Sequence, residues 1–225
     1  MALDPRWEEI FRTRAWGKYP PEEFIRFMAG HFYRHPARHE VKVFEAGFGT
    51  GANLWYAARE GFTVFGLEGS QAGCELTGAR LDAEVPGWRD HGAQLRVGDI
   101  CKPLPWPDGS FDAVLDSDAA TCNSHEEARS LYRELHRVAR SGGRLYVRTP
   151  ATGSWGEGTG TPHGRGQWEC AQGPFAGTGV VRFASEQDIR ELLADWKIEQ
   201  LEEVTRTMDN RAHVVREWVV DAVKA

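Results

Sequence analysis

The chain has 225 residues, a formal net charge of -6, 41% hydrophobic and 27% charged residues. It is long enough to bury a sizeable core, and too rich in Trp and Phe to be disordered. No stretch approaches eighteen consecutive apolar residues, which argues against a membrane-spanning helix, and the acidic balance argues against a protein that tracks a phosphate backbone.

Asp4, Arg6, Glu8 and Glu9 interrupt the first ten residues, against a secretory signal. Cys74, Cys101, Cys122 and Cys170 form no CxxC pair, so free thiols in a reducing, cytoplasmic setting are expected. Asp4-Pro5 opens a helix with Trp7, Ile10 and Phe11 on one face. Tyr19-Pro20-Pro21 breaks the chain, and a second helix carries Phe24, Phe27, Met28 and Phe32 on one stripe until Pro36. From there strands and helices alternate. Strands are predicted at 41–44, 62–67, 95–97, 111–115 and 143–147, and helices at 52–60, 70–83 and 125–140. That alternation means crossover connections, hence a mainly parallel sheet with helices on both faces.

Residues 151–182 break the rhythm. They are glycine-rich yet hold Trp155, His163, Trp168 and Phe175, which a flexible linker does not need. A helix capped by Ser185 follows, and strands at 198–207 and 214–220 meet at an Asp209-Asn210 turn. One domain spans 1–225, with a helical cap at 1–38. Segment 151–182 reads as a substrate-side lid: it leaves from the strand ends that face the crevice, and its glycines supply mobility and its aromatics a closing surface.

The strongest signal is Val43-Phe44-Glu45-Ala46-Gly47-Phe48-Gly49-Thr50-Gly51, a strand running into three alternating glycines before a helix. Two readings compete. Gly47, Gly49 and Ala52 fit the dinucleotide fingerprint, with Glu68 as the ribose acid. The same stretch fits the acidic-x-Gly-x-Gly-x-Gly loop of S-adenosylmethionine (SAM) enzymes. Three acids favour the second. Glu45 occupies a place where a dinucleotide fold has an apolar residue, and it suits an ammonium rather than a pyrophosphate. Glu68 ends the second strand, where it can accept both ribose hydroxyls. Asp99 ends the third, where it can accept from an adenine amino group.

With these motifs the chain resembles a class I SAM-dependent methyltransferase over residues 41–150. The match includes Phe111-Asp112-Ala113-Val114-Leu115-Asp116 and the run from Glu134 to Leu145. Ser141 replaces a frequent proline, and Phe48 a small residue. The resemblance implies a Rossmann-like, seven-stranded, mostly parallel sheet with an antiparallel last strand. It implies SAM as cofactor, held by Glu45, Gly47, Gly49, Gly51, Asn53, Glu68, Gly69, Ser70, Asp99 and Ile100. It also puts Asp116 and Ser117 at the methionine or substrate end, unless they merely cap the next helix, and Tyr19 on the cap over the cofactor, unless it is a core aromatic. Asp118, His125 and His163 are the candidate catalytic bases. Cys122 reads as a buried small residue. Arg148, Arg165 and Arg182 either hold an anionic substrate or are solvated. His31, His35 and His39 are four apart, but Pro36 interrupts them, so no metal site is expected.

The resemblance fixes a reaction and leaves the acceptor open. No basic tail, no Asn/Asp-Pro-Pro-aromatic tetrapeptide and no Pro-Cys pair points to nucleic acid, so a small-molecule acceptor with an oxygen or nitrogen nucleophile is the leading expectation. A nicotinamide oxidoreductase and a non-catalytic SAM-binding protein are the alternatives. The oligomeric state stays open, a homodimer included.

Overall fold

The computed structural model describes residues 4–225. The N-terminal part holds two helices, α1 (Arg6–Thr13) and α2 (Glu22–Phe32). Asp4 starts α1: its Oδ1 accepts from the Arg6 amide at 3.0 Å and its carbonyl from the Trp7 amide at 3.0 Å. The acids Glu8 and Glu9 lie in the first turn and Arg12 in the last, as the helix dipole favours. α2 begins after Pro21 and buries Phe24, Phe27, Met28 and Phe32.

The alternating part contains β1 (Lys42–Ala46), α3 (Ala52–Arg59), β2 (Thr63–Glu68), α4 (Gln71–Glu84), β3 (Gln94–Val97), β4 (Phe111–Ser117), α5 (His125–Val138) and β5 (Ala139–Pro150). Beyond it lie β6 (Trp155–Gly158), β7 (Thr161–Gly164), β8 (Gln167–Glu169), β9 (Val180–Arg182), α6 (Glu186–Leu192), β10 (Lys197–Met208) and β11 (His213–Val223). Seven strands form one sheet in the order β10-β11-β5-β4-β1-β2-β3. β3, β2, β1, β4 and β5 pair in parallel, and β11 is antiparallel to both β5 and β10. The hairpin turns where predicted, with Asp209, Asn210 and Arg211 all at positive φ.

The period-two alternation of the strands divides the core between two faces. Val43, Ala113, Leu115 and Tyr146 point toward α2, α3 and α4. Phe44, Val114, Leu145 and Val147 point toward α5 and α6. His31 ties the end of α2 to the sheet through Asp221 at 2.5 Å. α1 belongs to neither layer. It packs Ile10 and Phe11 on Ala72, over the start of α4.

Two sequence expectations change here. Residues 151–182 are not a loop: β7, β8 and β9 form a small antiparallel sheet with its own cluster of Cys170, Val181 and Phe183, flanked by Trp168 and Phe175. Arg182 is not a solvated arginine. It is 2% exposed and donates to the carbonyl of Ser124 at 3.2 Å. The Arg182 carbonyl in turn accepts from the buried Thr121 hydroxyl at 2.6 Å, which fastens the small sheet to the turn at 120–122. Arg165 is likewise engaged, by Asp188 and by Glu191 at 2.7 Å.

Removing the hydroxyl at this fastening leaves a buried carbonyl without a donor. Thr121→Val should lower stability by about 1–3 kcal/mol in urea denaturation. An unchanged midpoint would mean that the small sheet is held elsewhere.

Candidate active site

A cavity of about 520 Å³ opens at the carboxyl ends of β1, β2 and β4. β1 is flanked by β2 on one side and β4 on the other, so this is the point where the strand order reverses and a crevice must form.

The glycine loop forms its floor. Gly47 has φ 66°, and a Cβ there would lie 2.4 Å from Ala119 Cβ, so only glycine lets the loop after β4 approach. Gly51 has φ 73° at the start of α3, and its Cβ would strike Thr77 of α4 at 2.2 Å. Gly47 and Gly49 line the cavity, whereas Gly51 does not: its task is this packing.

Glu45 is 3% exposed beneath the loop. Asn53 donates to its Oε1 at 2.7 Å, but its Oε2 is buried with no partner. Burial pushes this carboxyl up to about 8, against the help of Asn53. Glu68 is also buried and is better satisfied. Its Oε2 accepts from the Gly49 amide at 2.7 Å and its Oε1 from the Ser70 amide at 2.8 Å. Burial still raises its pKa, since those amide bonds offset only part of the desolvation. Gly69, Asp99 and Ile100 line the same end, and Asp99 Oδ1 is turned back to the Cys101 amide at 2.9 Å. Ser70 does not line the cavity. It caps α4, accepting from the Gly73 amide, and donates to Glu8 of α1 at 2.5 Å. That bond and the Ala72 amide hold the Glu8 carboxyl well below the usual carboxylate range. Glu8 thereby seats α1 so that its Trp7 and Phe11, with Trp16 and Tyr19 after it, wall the cavity.

The other end is built on β4 and β5. Ser117 lines it, but Asp116 does not: Asp116 is fully buried on the α5 side of the sheet. Its Oδ1 accepts from the amides of Ala119 and Ala120 at 3.0 Å each, and its Oδ2 accepts from the Tyr132 hydroxyl at 2.6 Å. It is the organiser of the loop rather than a ligand contact. Asp118 follows with φ 62°, a left-handed backbone for a non-glycine residue. Its Oδ2 lies 3.7 Å from Arg148 Nη1, and its Oδ1 is buried without a partner. Burial pushes Asp118 up to about 7, although Arg148 opposes the shift. Arg148 in turn donates to Glu217 of β11 at 2.6 Å.

Of the three candidate bases, Asp118 and His163 reach the cavity. His163 stands at the mouth on β7, 3.5 Å from Glu169. His125 faces away, toward Asp188 and Glu191 of the α6 region at 3.9 and 3.8 Å, and burial lowers its pKa. Burial pushes the Cys122 thiol to about 12, so it is an inert wall group.

Sequence reasoning missed Trp7 and Phe11 as site walls, Glu8 as the residue that seats them, and Glu217. The last left a signal. Val215, Glu217 and Val219 alternate on one face of β11, so an acid sits where the pattern demands an apolar residue.

The position of Glu45 carries a pH signature. Its folded pKa is raised, so whatever stability it allows is present at low pH and is lost as pH rises toward about 8. Glu45→Gln keeps an acceptor for Asn53 and has no charge to bury. Wild type should therefore lose stability relative to the variant between about pH 5 and about pH 8 in urea titrations. A constant difference would mean that Glu45 ionises freely.

Residues 44–147 match the family model described as "Methyltransferase domain". No curated protein matches the sequence. Several solved structures share the fold. Geranyl diphosphate C-methyltransferase from Streptomyces coelicolor A3(2), solved with Mg²⁺, geranyl diphosphate and S-adenosyl-L-homocysteine, is 15% identical with a TM-score of 0.67, covering 100% of both chains. A SAM-dependent methyltransferase from Methanosarcina mazei is 20% identical with a TM-score of 0.64, covering 84% of this chain and 97% of its own. A protein from work on conversion of a disulfide bond into a thioacetal group during echinomycin biosynthesis is 20% identical with a TM-score of 0.67, covering 98% and 91%. The domain match, the strand order and the glycine loop with its acids together give the chain a methyltransferase domain over residues 44–147, on the Rossmann-like fold that S-adenosylmethionine-dependent methyltransferases share.

Proposed function

We propose that this enzyme methylates a small-molecule acceptor at an oxygen or nitrogen nucleophile, with Asp118 taking the proton that the nucleophile gives up. The observation that carries the reading is a pair of buried, unpartnered carboxylate oxygens, Glu45 Oε2 beneath the glycine loop and Asp118 Oδ1 at the acceptor end. A desolvated acid without a donor is costly, so each fits a ligand group that supplies one. The residues suit the cofactor. Gly47 lets the turn at Ala119 close against the glycine loop, and Glu45 offers an oxygen to an ammonium. The same buried acid has no positive charge to offer a pyrophosphate, which disfavours a nicotinamide dinucleotide.

SAM, when bound, supplies a methyl group on a sulfonium, ready for in-line displacement. The protein's part is to align, desolvate and receive a proton. In this reading Glu68 holds the ribose hydroxyls, Asp99 the adenine amino group, and Asn53 keeps Glu45 in place. Gly49, Gly69 and Ile100 shape the cradle and Tyr19 closes over it, while Ser117 abuts the reacting end. The cap at 1–38 and the small sheet within 151–182 meet across the mouth, where Arg6 pairs with Glu169 at 2.5 Å. Trp7 and Phe11 from one side and Gln167 and Val180 from the other exclude water. Alignment in such a closed site supplies roughly 7–11 kcal/mol of barrier reduction. Asp118 adds general-base catalysis, and its pKa of about 7 keeps it a competent base near neutral pH.

With an acceptor drawn from a panel of small amines and phenols, Asp118→Asn should lower turnover by about 10²–10⁴-fold. S-adenosylhomocysteine affinity should persist. In wild type the rate rises with pH through about 7 as Asp118 loses its proton, and the variant lacks that limb. Equal pH profiles in the two proteins would remove Asp118 from the chemistry. Cofactor binding without turnover of any acceptor would favour a non-catalytic SAM-binding protein.

A further inference from the structure

Resting on that reading, we infer that the acceptor is an amine that arrives as its ammonium, and that Glu217 enforces this choice by occupying Arg148. Charge around the cavity is one-sided. Among the described residues that line it, Asp4, Glu45, Glu68, Asp99 and Asp118 carry carboxylates, and Arg148 carries the single guanidinium. An arginine at a strand end beside the reacting group suggests capture of an anion. Its partners deny that role here. Arg148 Nη2 is bound to Glu217 at 2.6 Å, and Glu217 lies behind it, 4% exposed and outside the cavity. Arg148 Nη1 faces Asp118 at 3.7 Å. Two carboxylates thus flank one cation, and the cluster is left with net negative charge. Arg206 on β10 also acts on Asp118, but it is exposed and screened by solvent.

A carboxylate or phosphate brought to this end meets uncompensated acid with no free arginine to receive it. A neutral hydroxyl gains a hydrogen bond only. An ammonium gains both a charge-assisted bond to Asp118 Oδ1 and relief of the acidic excess. It also arrives with the proton that must be removed. The N–H bond breaks, an O–H bond forms on Asp118, and nitrogen keeps the electron pair that the methyl will take. The aromatic walls from Trp7, Trp16 and Tyr19 give the rest of such a molecule an apolar surface. Glu217 is therefore a positioning residue: it touches no substrate and sets what Arg148 is free to bind.

The test uses benzylamine, benzyl alcohol and benzoate as probes, titrated calorimetrically into the full chain saturated with S-adenosylhomocysteine. Wild type should bind benzylamine at least about tenfold more tightly than benzoate, a difference of about 1.4 kcal/mol. Asp118→Asn should lose that preference. Glu217→Gln, which frees Arg148, should shift it toward benzoate by about tenfold or more. Melting curves and cofactor affinity check that each variant is folded, and if Glu217→Gln does not fold, Asp118→Asn decides alone. Benzoate bound as well as benzylamine by wild type overturns the inference, as does no benzylamine binding by cofactor-loaded protein. Failure to bind S-adenosylhomocysteine at all overturns the functional reading beneath it instead.

Discussion

Asp116 is buried at the end of β4 with every hydrogen bond directed inward, and the site is assembled around it. Its two amide bonds fix the turn at 119–120, and its bond to Tyr132 anchors that turn to α5. The fixed turn brings Ala119 against Gly47, which only a glycine tolerates. It gives Asp118 its left-handed backbone beside Arg148. Through Thr121 and the Arg182 carbonyl it also carries the small sheet that closes the mouth. The glycine-loop floor, the Asp118 end of the cavity and the small sheet thus depend on one carboxylate that lies outside the cavity. Such a network is worth most when every member is paired, and Asp116 is fully paired.

The same fold leaves other acids less comfortable. Glu45, Glu68 and Asp118 are shifted upward, as Asp116 itself is, with desolvation as the leading cause in each; what sets them apart is how well they are paired. Glu68 is offset by two backbone amides, whereas Glu45 and Asp118 each keep an oxygen with no donor. A soluble core would not retain these groups for stability alone. In the proposed reading their shared location gives the excess a purpose: a cationic cofactor and a protonated acceptor would both relieve it. Stability given up in the empty protein becomes differential affinity in the loaded one.

Much of this was legible in the chain. The glycine loop and the acids at three strand ends follow from local geometry and spacing, so sequence reports them directly, and the strand order came with the family resemblance that those motifs carry. What was lost depends on contacts distant in sequence. His125 opens a helix near the predicted site, but the ring turns toward α6. Asp116 and Asp118 are two residues apart, which a continued strand would put on one face. The strand ends at Ser117 instead, and the left-handed backbone at Asp118 turns it into the cavity while Asp116 stays buried outside it, a change of direction that spacing does not report. The small sheet escaped notice because its strands are three or four residues long and framed by glycines at positive φ, such as Gly160 and Gly166. Glu8 figured only among the charges that interrupt the first ten residues, since its partner Ser70 lies 62 residues away.

The central claim is that a cationic cofactor completes a carboxylate that the empty protein keeps protonated. Calorimetric titration with S-adenosylhomocysteine near pH 7, in buffers of different ionisation enthalpy, measures this directly. Glu45, with its pKa pushed up to about 8, should lose its proton when the ligand ammonium arrives. The account predicts proton release by wild type on binding, and little or none by Glu45→Gln. Binding with the same proton balance in both proteins would contradict it.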